Sequence, residues 1–169
     1  MAILRAMSGR PSATPPRSSA SRARLLAGYP AALTALALLF AARVAAQAIQ
    51  CWLQLPFLPS FDAFQGSALP YWILLPAQLV ILALMLAVAR RVHDGTLGQQ
   101  PATGRVLVVL GSAYFACMLV RLIVGLAVPS AGWWFQATIP AAFHLVLATF
   151  ILVLARYHSR GCQRAFSMR

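Results

Sequence analysis

The sequence predicts an all-α integral membrane protein, a four-helix bundle with both termini cytoplasmic. Three observations lead there. Of its 169 residues 61% are hydrophobic and 9% charged, with a mean hydropathy of +0.77, far more apolar surface than a soluble domain of this size can bury. The apolar residues gather into four runs, each long enough to cross a hydrocarbon core of about 30 Å at about 1.5 Å per residue. The fourteen basic residues are all arginine, set against only Asp62 and Asp94, and all but two of them flank those runs.

Residues 1–26 form an Arg-, Ser- and Pro-rich segment without an acid or an apolar period, which reads as a disordered cytoplasmic tail. The same composition imitates an organellar transit peptide. An organellar membrane is therefore the alternative to the bacterial inner membrane that the arginine-for-lysine bias favours.

The membrane domain, 27–158, holds spans at about 28–52, 70–89, 106–128 and 134–155. The first run contains Ala46-Gln47-Ala48 after a basic leader and so imitates a cleavable signal peptide, but it continues past that point to a length that suits a span. Arg90 and Arg91 close the second run and Arg156 the fourth. The loop after span one carries Asp62 and no base, and the turn Pro129-Ser130-Ala131-Gly132 carries no charge, so both are placed outside. Trp52, Trp72, Trp133 and Trp134 all fall at that outer boundary, whereas Tyr29 and Tyr157 mark the inner one. Residues 159–169 form a second basic cytoplasmic tail.

Two duplicated helical hairpins are a further reading of the same runs. Pro76-Ala77 and Pro140-Ala141 each precede a Leu-rich stretch ending in Ala-Arg, and Phe40-Ala41 and Phe115-Ala116 recur in runs one and three. The prolines are expected to free a carbonyl and bend spans two and four.

The arginine distribution also excludes a nucleic-acid partner, because it brackets spans instead of lining one face between stacking aromatics. The partners it implies are the bilayer and anionic inner-leaflet lipids, with a homo-oligomer or another membrane protein as further candidates. Cys51, Cys117 and Cys162 form no CxxC and no zinc spacing, which removes thiol redox chemistry. A haem clamp would need two histidines at matching depth, and only His144 lies in the interior. His93 and His158, with Asp94 or Cys162, form at most a weak metal arrangement beside the default of solvated boundary histidines. No phosphate loop, nucleophile elbow or intramembrane carboxylate pair is present, so neither a catalytic residue, a metal nor a cofactor is assigned and an enzyme is disfavoured.

Four polar residues inside the spans need an explanation. Arg43 and Arg121 each lie fifteen residues from the inner end of their run, roughly 22 Å deep at 1.5 Å per residue, and an arginine at mid-bilayer costs about 2.5 to 3.5 kcal/mol. Either both snorkel to the outer headgroups, or they face each other and hold an anion between two guanidinium forks. Gln47 extends the Arg43 stripe. His144 lies on a small-residue stripe with Ala137, Ala141 and Ala148 and is expected to point into the bundle. Gly111 and Gly125 share a stripe with Tyr114, Met118 and Arg121 and should admit a neighbour closely. The cluster Arg43, Gln47, Arg121 and His144 is read as an anion- or lipid-binding site of a non-enzymatic membrane module. A small transporter or channel subunit for an anionic or amphiphilic solute is the alternative.

Overall fold

The computed structural model describes residues 17–65, 69–128, 130 and 132–166. Residues 1–16 of the expected N-terminal tail, and the side chains of Trp133 and Cys162, lie outside the described residues. Among the described residues six helices follow one another: α1 (Arg17–Leu53), α2 (Phe61–Gln65), α3 (Tyr71–His93), α4 (Pro101–Ala127), α5 (Trp133–Gln136) and α6 (Thr138–Phe166). Four of them are long and apolar enough to cross a membrane, over Gly28–Leu53, Tyr71–His93, Pro101–Ala127 and Thr138–Ser159. The chain thus has the make-up of a multi-pass membrane protein.

Local chemistry sets the helix ends. α1 starts at Arg17, inside the segment that composition marks as a tail, where Ser, Ala and Arg offer no breaker before Pro30. It stops at Leu53 because Gln54 takes a positive φ of 44°, and Gln50 Oε1 accepts from the Leu55 N–H at 3.0 Å, giving the turn a side-chain partner. α4 opens on Pro101 with its missing N–H in the first turn, where no intrahelical donor is needed. The same logic corrects one expectation. Pro76 lies within α3, but Pro140 falls in the first turn of α6, a position that demands no bend.

The long helices pack in the order α3–α1–α6–α4, each against its neighbour in that row. α1 runs antiparallel to α3 and to α6, and α4 antiparallel to α6. Although consecutive in the chain, α3 and α4 share no comparable contact among the described residues. The seven-residue connection 94–100 crosses from one side of the row to the other beneath α6. It is held there by the Tyr157 hydroxyl, which donates to the Leu97 carbonyl at 2.8 Å, and by the Gln100 N–H, which donates to His158 Nδ1 at 3.2 Å. His158 is therefore buried and bonded, not a solvated boundary group, and Tyr157 is buried edge-on against Tyr29, 6.1 Å between centroids.

The α4–α6 seam is the tightest in the molecule. Gly104 and Gly111 on α4, seven residues apart, meet a second seven-residue series on α6, Ala141, Ala148 and Ala155, all fully buried. A Cβ at Gly111 would lie 3.0 Å from Ile151 and Leu152, and one at Gly104 would lie 2.7 Å from Ser159 Oγ. Small residues on both sides bring the backbones together, where dispersion and polar contacts replace the hydrophobic drive that lipid does not supply. A separate core joins α1, α3 and α6, built on Leu33, Ala37, Phe40, Val44, Met85, Ala89 and Phe150. It lies toward the end of the bundle that carries Arg90, Arg91 and Arg156. The opposite end, with Trp52, Trp72 and Trp134 exposed, holds the two short helices.

Candidate functional site

Two of the predicted site residues line one cavity and a third borders it. Between the core and α2, the helices α1, α3 and α6 surround a cavity of about 130 Å³. Phe40 and Arg43 come from α1, Gln78 and Ile81 from α3, Phe143 and His144 from α6, and Gln65 from α2. Most of the wall is apolar, with the polar groups few and convergent, the usual make-up of a small-ligand site.

Arg43 is 7% exposed. Its Nη2 donates to the Phe64 carbonyl at 2.8 Å, which pins α2 over the tryptophan-bearing end of the cavity, and its guanidinium stands 5.9 Å from the Phe143 ring, within cation–π range. Its Nε, also buried, has no hydrogen-bond partner, and neither acid of the chain pairs with it among the described residues. A buried guanidinium with a spare donor and no counter-ion is an anion-seeking group.

Gln47, one turn along α1, is fully buried. It accepts from Gln78 Nε2 at 3.2 Å, a bond across the α1–α3 interface that leaves Gln47 Nε2 and Gln78 Oε1 without partners. Two amides facing each other through a single bond always leave one donor and one acceptor over, whichever way each amide is turned. Gln78 therefore brings to the cavity wall a polar group that sequence reading passed over. Its signal was available, because it is the one strongly polar residue inside the second apolar run.

His144 bonds the Tyr114 hydroxyl through Nδ1 at 2.6 Å, with the rings edge-on at 6.0 Å between centroids. It thus ties α6 to α4 while lining the cavity, and it lies within electrostatic range of both arginines. Its side chain is exposed at the α4–α6 seam and not enclosed by the bundle as expected.

Arg121 is also buried, at 4% exposure, but it does not line the cavity. Its Nε donates to the Trp134 carbonyl at 2.9 Å, and its guanidinium lies 4.2 Å over the Trp134 ring. Beside it, Gly125 lets α5 lie directly on α4: a Cβ there would overlap the Phe135 carbonyl. Among the described residues no three metal-ligating side chains come together.

Comparison with family models, with curated proteins and with solved structures finds no match to this chain.

Proposed function

We propose that the protein is a non-enzymatic membrane module that binds an anionic amphiphile in the cavity between α1, α3 and α6. The observation that carries this reading is Arg43: buried, without a carboxylate, with an unpartnered Nε, and lining a largely apolar cavity. An uncompensated guanidinium in a low-dielectric surrounding is costly, and a bound carboxylate or phosphate removes that cost through charge-assisted hydrogen bonds. His144 and Gln78 add polar contacts, and Gln47 orients Gln78. Arg121 acts on the neighbouring outer segment and supports the site from across the α4–α6 seam.

The reading includes an orientation. Both termini are cytoplasmic in a bacterial inner membrane, with the exposed arginines Arg90, Arg91, Arg105 and Arg156 meeting anionic headgroups of the inner leaflet. The two halves, α1–α2–α3 and α4–α5–α6, share a plan that supports an ancient hairpin duplication. Each is a long helix, a short helix whose carbonyl an arginine holds, and a second long helix.

Binding is favoured over transport because α2 packs over one end of the cavity and the shared core of α1, α3 and α6 lies at the other. The test is native mass spectrometry of the full chain released from mild detergent. A stoichiometric anionic amphiphile, lost in Arg43→Leu, is expected. A bare protein in both cases overturns the assignment, and solute flux in proteoliposomes that Arg43→Leu abolishes would replace it with a transporter.

A further inference from the structure

We infer that the ligand is a single-chain carboxylic acid, of the fatty-acid type, which enters sideways from the lipid through the gap between α3 and α6. This rests on the anionic-amphiphile reading above and narrows it.

The ends of the cavity define the route. α2 covers the tryptophan-bearing end, fixed by the Arg43–Phe64 hydrogen bond. Toward the arginine-bearing end the core of Phe40, Met85 and Phe150 fills the space. α1 forms the back wall, packed against both α3 and α6. Only α3 and α6, which both line the cavity, make no extended packing with each other among the described residues. The free direction therefore leads between Ala77 and Ile81 on one side and Phe143 and Leu147 on the other. These are apolar walls that favour an acyl chain running out into the bilayer.

Size and donor chemistry define the headgroup. The cavity, about 130 Å³, is similar to the roughly 150 Å³ that houses a single benzene ring in an apolar protein interior. That admits a carboxyl group and the first few carbons of one chain, but not a phosphoglycerol head with its two ester branches. Arg43 lines the cavity, and its guanidinium is the charged donor that a carboxylate would meet there, although its unpartnered Nε is itself enclosed in the packing. Gln78 also lines the cavity, with one amide atom left over from its bond to Gln47, an acceptor as it stands and a donor if both amides are turned over. The ionised acid satisfies the buried charge as well.

Equilibrium binding of radiolabelled oleate, oleyl alcohol and dioleoyl phosphatidylglycerol to the delipidated full chain in detergent tests this. Oleate is expected to bind one per chain and about tenfold or more tighter than the alcohol, the margin of a charge-assisted over a neutral hydrogen bond. Arg43→Leu should erase that margin. Ala77→Trp, which narrows the gap without touching Arg43, should weaken oleate binding about tenfold or more while the thermal transition of the unliganded protein stays in place. Should Ala77→Trp lower that transition, a photoreactive oleate carrying its diazirine beside the carboxyl group decides, and its cross-links should fall on the peptides of Phe40 and Phe143. Cross-links elsewhere overturn the entry route. Binding of phosphatidylglycerol but not oleate, still dependent on Arg43, overturns the single-chain class and leaves the anionic-amphiphile reading standing. Binding of none of the three overturns both.

Discussion

Arg43 and Arg121, the two arginines inside the spans, each turn the guanidinium to a different backbone carbonyl, Arg43 to Phe64 and Arg121 to Trp134. They do not form the two-pronged clamp that the sequence-based span limits suggest, and of the two Arg43 alone lines the cavity. Each instead fastens a short helix to the end of the bundle. The carbonyls lie at helix segments too short to satisfy their own acceptors, so a charged donor from below gives them partners in a place where water is scarce.

That arrangement separates stability from binding at Arg43. Removing the side chain relieves the desolvation cost of a buried charge and forfeits a charged hydrogen bond of about 1.5 to 3 kcal/mol. The two effects oppose each other. Arg43→Met is therefore expected to leave the thermal transition of the delipidated protein within a few degrees of the parent, while the additional stabilisation conferred by an anionic amphiphile disappears. Differential scanning fluorimetry in detergent, with and without the amphiphile, gives both numbers. A large loss of stability without ligand would mean that Arg43 is chiefly a strut for α2.

The glycines of α4 differ in what they face, and substitutions should sort accordingly. Gly125→Ala places a methyl group on the Phe135 carbonyl and should destabilise by about 2 kcal/mol or more, because overpacking typically costs about 1 to 3 kcal/mol and a backbone group cannot turn aside as a side chain can. Gly28→Ala, with nothing within 4 Å, should stabilise by a fraction of the roughly 1 kcal/mol difference in helix propensity. Unfolding in a denaturing detergent series measures both, and equal effects would contradict the close approach of α5 to α4.

The Gln47–Gln78 bond is a case for a double-mutant cycle. Each single change to leucine strands the surviving amide in an apolar wall and should cost about 1 to 3 kcal/mol. The double change removes both polar groups and should cost less than the sum, with a coupling of about 0.6 to 1.7 kcal/mol, the range found for side-chain bonds between membrane helices. Additive losses would show that the two amides do not interact in the membrane.

Beneath α6, Tyr157→Phe removes the donor to the Leu97 carbonyl and should free the 94–100 connection at a cost of about 1 kcal/mol. Hydrogen exchange at Thr96 to Gln99 should accelerate severalfold with little change in the exchange of α4. Unaltered exchange would assign the hold on this connection to His158 and Gln100.

Topology is tested by labelling. Cys51 is exposed near the tryptophan-bearing end, and Thr96 is exposed at the other end. In a Cys117→Ser, Cys162→Ser background, a membrane-impermeant maleimide applied to intact cells should modify Cys51, and should modify a further Thr96→Cys, Cys51→Ser variant only after the membrane is opened. The reverse pattern would invert the assigned orientation.

The sequence by itself determined the number of long helices, their approximate limits, and which polar residues would have to be accommodated within them. Hydropathy and length act residue by residue through partition between water and lipid, so these properties can be summed along a chain without knowing what touches what. It also marked small-residue stripes on spans three and four as faces open to close packing, but not that these two stripes meet each other. Only the tertiary structure decided the row order α3–α1–α6–α4, the crossing of residues 94–100 beneath α6, the separate partners of Arg43 and Arg121, and the part played by Gln78. In a soluble protein the polar face of each helix would have announced much of this. In a chain built for lipid, the surface that meets the bilayer is as apolar as the surface that meets another helix, so periodicity carries almost no record of which face is which. Where each helix turns is settled by packing and by the search of buried donors for carbonyls, and those exist only once the helices have come together.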